Sequence, residues 1–437
     1  MYFIQKIVKH IWSDTSKVYQ EHRNKYLSMD KDVLYQELSK QQMSQIYYPG
    51  LIMNSLASCG CRYRFQNKQT IIGCSMCDYQ SEFAPFQAAM EAIRLKDKKL
   101  YASVVKKSFE NVRGVKPDPE PFEVITGYNF FDEMEFPDEV LHELFKEGNL
   151  FSKRPYMFIF EGRASDINEK RLELLKSLLP EKSRVAIEFG VEARDEWIRN
   201  HWINKGVTDK QIIHAISKIH NVGFRASGDI IIGIPGLTEQ QSIDQYIQTA
   251  IWLDTLGIDE IVCLPLNRKK HTLQGFLHQR LRQNPVLTPI GLAQEEHTGV
   301  IWLYTILNAL VTLYRERPEI VKKLNLAQLS PDNNVIGNTM AYNTTPECEC
   351  NQEILYALRN FSKSKDIKLI QEMIQKSLTH ACYQDYQSLL ELQERAGDVK
   401  SVMRVVAQEL AKCVFEDWDS HYQNFCLEME NLKSEMI

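Results

Sequence analysis

From about residue 50 onward, short apolar runs alternate with longer amphipathic ones, and this alternation most constrains what the chain can fold into. The runs cover 51–58, 122–127, 156–161, 184–191, 224–234 and 260–266. Between the last five lie helix-like stretches such as DEVLHELFKEGN, NEKRLELLKSLL, DKQIIHAISKIHNVG and EQQSIDQYIQTAIWLDTLG. Strand-length runs separated by helix-length amphipaths read as successive βα units around a parallel sheet. Six units fall short of the eight that close a barrel, so the expected fold is α/β, a partial (βα)6 TIM-like barrel with a helical C-terminal region. The expected domains are a helical extension over 1–49, the barrel over 50–285 and a helical domain over 286–437. In the last, the stripe Trp302, Leu303, Ile306, Leu307 and Leu310 reads as core.

In parallel α/β folds, sites assemble in loops beyond the carboxyl ends of strands. The first apolar run ends at such a loop, and four of the ten cysteines lie in it: Cys59, Cys61, Cys74 and Cys77. Cys61 and Cys74 are separated by twelve residues, Cys74 and Cys77 by two. Soft thiolates in this pattern bind zinc or an iron–sulfur cluster. A structural zinc site would take four ligands in two close pairs, and Cys59-x-Cys61 is an awkward chelate for that purpose. A cluster held by three cysteines leaves one iron open to a further ligand. Of the other cysteines, Cys382, Cys413 and Cys426 sit in helix-like sequence and read as small buried hydrophobes. The Cys348-x-Cys350 pair, in a loop-rich break, could bind zinc or reach back to the site, but has no partner motif in sequence.

Charge and composition limit the alternatives. Hydrophobic residues make up 44% and charged residues 25%, as in ordinary globular proteins. No window approaches a membrane span, and the first residues carry Lys6, Lys9 and His10 within their apolar stretch, so neither a membrane segment nor a signal peptide is expected. The expected location is cytoplasmic. Residues 1–115 hold 17 Lys+Arg against 10 Asp+Glu, the remainder 35 against 47. The basic third could meet an anionic substrate or simply be a solvated helical surface. The stretch after the last run, with His271, His278 and several arginines, carries the same two readings.

The cysteine loop and CRYRFQNKQTIIGCSMCDY resemble the cluster-binding motif of the radical S-adenosylmethionine (SAM) superfamily, most of all its archaeosine-forming branch and more distantly the elongator catalytic subunit family. The likeness runs over roughly 50–275, through YNFFDEMEFPDEV, FIFEGRASDINEKRLELL, IEFGVEARDEWIRNHWINKGVT and GDIIIGIPGLTEQQSIDQ. Its departures are a longer loop between the first two cysteines and Ala193 where the family pattern has serine.

The resemblance implies a [4Fe–4S] cluster on Cys61, Cys74 and Cys77, with SAM on the open iron. Electrons would come from a donor such as flavodoxin or ferredoxin, and a 5′-deoxyadenosyl radical would abstract hydrogen from the substrate. The cofactor's carboxylate wants a cation, which points to Arg163; its ribose wants a carboxylate, which points to Glu161, Glu188 or Glu192. Gly127 and Asn129 would lie by the methionine moiety, Met76 and Tyr79 by the adenine. Gly233 and Gly236 could cradle the adenine edge or only turn the chain. Glu188, inside an apolar run, is either a cofactor contact or a buried ion-pair partner. Asn204 and Lys205 fit the same motif, but N-K-G also reads as a helix stop.

Two substrate classes fit an enzyme of this kind. One is a small biosynthetic or natural-product molecule in which a C–C, C–N or C–S bond is made or broken. The other is tRNA, on which the archaeosine-forming lyase acts; the pI near 6.2 and the lack of a basic stripe favour the first. A zinc-stabilised binding module without catalysis is the third alternative.

Overall fold

A computed structural model describes residues 1–41, 44–48, 51–65, 70–78, 83–113, 122–126, 128–146, 157–327 and 339–431. The sheet has eight strands in chain order: β1 (Ser44–Tyr48), β2 (Leu51–Ser55), β3 (Phe122–Thr126), β4 (Met157–Gly162), β5 (Arg184–Glu192), β6 (Arg225–Ile232), β7 (Glu260–Pro265) and β8 (Leu324–Leu326). β1 pairs antiparallel to β2, and every later pair is parallel. A parallel sheet whose spatial order equals its chain order is a barrel wall, because each strand is followed by a crossover to its neighbour. The six anticipated strands are β2 to β7. The two additions lie at the edges: β1 is polar at Ser44 and Gln45 and lacks an apolar run, and β8 offers only three residues to β7.

Alternation within the strands separates two environments. On β5, Val185, Ile187, Phe189 and Val191 point outward into the core shared with Leu172, Leu175, Ile212 and Ile216 of the surrounding helices. The intervening Ala186, Glu188, Gly190 and Glu192 line the inner face. The same parity places Ile159 and Glu161 of β4, and Ser227 and Asp229 of β6, on that inner face. The helices between strands start as their sequences dictate. Thr208 and Thr238 form capping boxes with Gln211 and Gln241, and Asn168 caps the helix Glu169–Leu178.

A second core gathers the two ends of the chain beside the carboxyl ends of the strands. The helix Phe3–Ile11 packs with Val399–Val414 and Trp418–Asn431, and Phe3 lies against both Phe415 and Phe425. Glu428 accepts from the Phe3 amide at 3.1 Å and meets His201 Nδ1 at 2.6 Å, which ties these helices to the segment after β5. The expected stripe from Trp302 to Leu310 is core. Among the described residues no helix is long and apolar enough to cross a membrane.

Candidate active site

The loop after β2 carries the cysteines over the carboxyl end of the sheet. It turns at Gly60, where φ is +80° and a side chain would be strained. This turn sends the two adjacent thiols apart. Cys59 is 3% exposed and belongs to the outer core, with its Sγ 3.9 Å from the Met134 carbonyl and its amide donating to the Tyr101 hydroxyl. Cys61 is partly exposed and shares its electrostatic surroundings with Cys74, Cys77 and Arg163. Burial pushes the Cys61 thiol up to about 12, against the pull of Arg163.

Arg163, just past β4 and 5% exposed, is the cation of this site. Its Nη1 lies 3.9 Å from Cys74 Sγ, and its guanidinium stacks 3.9 Å from the centre of the Tyr63 ring. Burial alone would lower Arg163; the sulfurs of Cys74 and Cys61 more than offset this and hold it above its usual value. Asn129 fixes its position by accepting from the Arg163 amide at 3.1 Å and donating to Asp166 at 2.6 Å. Behind the loop, Glu135 is fully buried and accepts from Ser58 Oγ at 2.9 Å; burial raises its carboxyl well above the usual range.

The N-K-G segment clamps the cysteine loop, a role its reading as a helix stop does not contain. Asn204 donates to the Gly73 carbonyl at 2.7 Å, and the Ile203 carbonyl accepts from the Ser75 amide at 2.7 Å. The Trp202 carbonyl accepts from Ser75 Oγ at 2.9 Å, and the Lys205 carbonyl accepts from Arg163 Nη2. At Gly206, φ is +63° and a Cβ would stand 2.4 Å from the Tyr63 hydroxyl, so only glycine lets that ring approach. Tyr63, Ser75 and Asn204 therefore belong to the site, although the cysteine spacing gave no signal for the first two. Lys205 Nζ turns inward to Glu192 Oε1 at 2.6 Å, both groups buried. Glu192 Oε2 has no partner.

Below this pair the inner face is acidic. Glu161 stands opposite Glu188 in register, and Glu188 is hydrogen-bonded to Asp229. Burial, then the neighbouring Glu161, push Glu188 up to about 8; burial and the other carboxylates also raise Asp229 well above its usual value. Ser227, opposite Glu188 and 2% exposed, has an unpartnered hydroxyl, and Asp229 Oδ1 is likewise without a hydrogen-bond partner. Glu188 retains its proton in the folded chain up to about pH 8, whereas the unfolded chain releases it near pH 4.3. Stability should therefore fall as pH rises through that window, by up to ~1.4 kcal/mol per pH unit for one proton. Glu188→Gln is expected to flatten this decline in urea unfolding between pH 5 and 8; equal slopes for both proteins would refute the assignment.

The other anticipated residues lie as follows. Gly233 (φ +91°) and Gly236 (φ +81°) face Ile301 and Val406, which a Cβ would meet at 3.0 and 3.1 Å. Met76 packs at the edge of the second core. His271 donates its amide to Asp78 and sets its ring against Trp12, while His278 meets Glu296. Gly127 and Tyr79 lie outside the described residues.

No family model matches the chain. It is 25% identical over 313 residues to the uncharacterized protein MJ0550 of Methanocaldococcus jannaschii, which covers 71% of this chain and 75% of that one. It is 25% identical over 269 residues to archaeosine synthase subunit beta of Methanosarcina acetivorans, covering 60% of this chain and 66% of the subunit. Solved structures similar to it include the radical SAM methyltransferase TsrM from Kitasatospora setae, at TM-score 0.40 and 13% identity, covering 70% of this chain and 60% of TsrM. Methylornithine synthase (PylB) gives TM-score 0.37 at 11% identity, covering 84% and 95%. The archaeosine synthase match bears out the resemblance drawn from the cysteine loop and strand motifs. The architecture is the expected α/β partial barrel.

Proposed function

We propose that this chain is a radical SAM enzyme whose cluster is held by Cys61, Cys74 and Cys77. The supporting observation is that three thiols of one loop overhang the strand ends with a buried guanidinium against one of them. The donor set fits the group: three soft thiolates on one loop, a buried guanidinium 3.9 Å from one of them, and an orphaned carboxylate oxygen on Glu192 facing the same end. When bound, the cluster and SAM supply an organic radical that abstracts hydrogen, with electrons from a flavodoxin or ferredoxin. Arg163 and Lys205 offer cations to the cofactor's carboxylate, and Glu192 an acceptor to its ribose. Asn129 keeps the guanidinium oriented.

The substrate in this proposal is a small molecule, or a small group, that presents positive charge or hydrogen-bond donors to the inner face. Glu161, Glu188, Asp229 and the unpartnered Ser227 hydroxyl favour such a group. The likeness to archaeosine synthase subunit beta supports a second reading, in which a tRNA carries that group. Anaerobic reaction with reductant and SAM should yield 5′-deoxyadenosine. Bulk tRNA should leave the yield unchanged if the substrate is a free small molecule. Stimulation by tRNA, with deuterium transferred from it into 5′-deoxyadenosine, would replace the first reading by the second. Zinc without acid-labile sulfide in protein purified anaerobically would end both.

A further inference from the structure

Away from the barrel mouth, two helix amino-termini bring together a second set of soft ligands. Cys348 immediately precedes the helix Glu349–Ser364 and Cys350 lies in its first turn; His380 immediately precedes the helix Ala381–Gln393 and Cys382 lies in its first turn. The sulfurs of Cys348, Cys350 and Cys382 all lie within 4.8 Å of one another, with Cys350 and Cys382 at 3.2 Å. Cys350 Sγ also meets His380 Nδ1 at 3.1 Å. The sequence contains both halves, Cys-x-Cys and His-x-Cys, but thirty residues apart.

We propose that Cys348, Cys350 and Cys382 form a zinc site, with His380, whose Nδ1 meets Cys350 Sγ, as the neighbour that can swing in as a fourth ligand. The spacing decides among the uses of such thiols. At 3.2 Å the Cys350 and Cys382 sulfurs are well beyond the ~2.05 Å of a disulfide and close to the ~3.8 Å that tetrahedral zinc imposes. The trio, all within 4.8 Å, is too compact for thiolates on separate irons of a cluster. Three cysteines are gathered already, and a turn of His380 toward them would make the closed all-protein set of a structural site. The Tyr304 hydroxyl lies 3.1 Å from Cys382 Sγ as an outer-sphere partner.

The ion would fix a loop that reaches the barrel mouth. Asn351, next to Cys350, accepts from the Asn343 amide and donates to the Thr345 and Pro346 carbonyls. The same loop pairs Thr339 with Arg268, just past β7, through two backbone hydrogen bonds of 2.9 Å. Tyr342 donates to the Glu296 carbonyl and packs on His297. Zinc is thus placed to hold 339–347 across the carboxyl end of the sheet.

The test is metal analysis of the full chain expressed with zinc and iron. The expected result is one zinc per chain in addition to the cluster iron. Cys350→Ser and Cys382→Ser should lose the zinc with iron and acid-labile sulfide unchanged, while Cys61→Ser should lose iron and keep the zinc. Cobalt alone, added to the zinc-free protein, should give a tetrahedral thiolate spectrum that Cys350→Ser abolishes and His380→Gln alters. If those variants do not fold, the wild-type protein still decides. Chelation should expose Cys348, Cys350 and Cys382 to a thiol reagent and speed amide exchange over 339–347. Wild-type protein without stoichiometric zinc, a Cys350–Cys382 disulfide found by mass spectrometry, or loss of iron and sulfide in Cys350→Ser would each overturn the proposal.

Discussion

Cys74→Ala is expected to abolish both the brown cluster absorbance and 5′-deoxyadenosine formation, while Cys59→Ala leaves both in place. The two thiols differ in surroundings rather than in chemistry. Cys59 is sealed among Tyr101, Met134 and the outer core, where burial holds its thiol up at about 12. Cys74 is partly exposed and lies beside the Arg163 guanidinium, its Sγ 3.9 Å from Nη1. Removing Cys74 would delete one of three proposed ligands and leave Arg163 buried without its sulfur partner. Truncating Cys59 removes only a core sulfur, at a cost of about 1–2 kcal/mol in unfolding. Iron and sulfide analysis, with product quantified by chromatography, separates the two variants. If Cys74→Ala retained cluster and product, the ligand set proposed here would be wrong. If Cys59→Ala lost the cluster while remaining folded, Cys59 would have to be counted among the ligands.

The strands were legible because each must show two faces. A run such as VAIEFGVE alternates apolar residues for the helices with polar ones for the inner face, so both its extent and the inward carboxylates can be read directly. The cysteine loop was legible because spacing along one loop limits geometry. What sequence could not express was contact between distant segments. Asn204 reaches Gly73 across 131 residues, and Ser75 bonds to the Trp202 carbonyl across 127. Nothing local to N-K-G distinguishes a clamp from a helix stop. Cys382 reads as a small buried hydrophobe for the same reason, since Cys350 and His380 become its neighbours only after folding. Cys413, expected to be buried, is exposed, because it lies on the outer side of the helix Val399–Val414.

Lys205→Met is expected to destabilise the chain by about 3–5 kcal/mol, the range for breaking a buried ion pair by removing one partner. Lys205 and Glu192 are 8% and 3% exposed and 2.6 Å apart, and one oxygen of Glu192 already lacks a hydrogen bond. Without the ammonium, that carboxylate would face Asp229, whose own carboxyl is raised well above its usual value by burial and by its acidic neighbours. Burial alone would lower Lys205; Glu192 and Cys74 offset it and hold the ammonium above its usual value. Gly190 is built to admit this contact, because a Cβ there would stand 2.2 Å from Lys205 Nζ and 2.3 Å from Glu192 Oε1. A second change, Glu192→Gln in the Lys205→Met background, removes the orphaned charge and should recover much of the lost stability. The double-mutant cycle in urea then isolates the coupling. If Lys205→Met alone cost under 1 kcal/mol, solvent would have to reach Glu192, and the tight pairing at the end of β5 would not be what holds the strand against the N-K-G clamp. If the double variant were stable but made no 5′-deoxyadenosine, the pair would be assigned to the cofactor and not only to the fold.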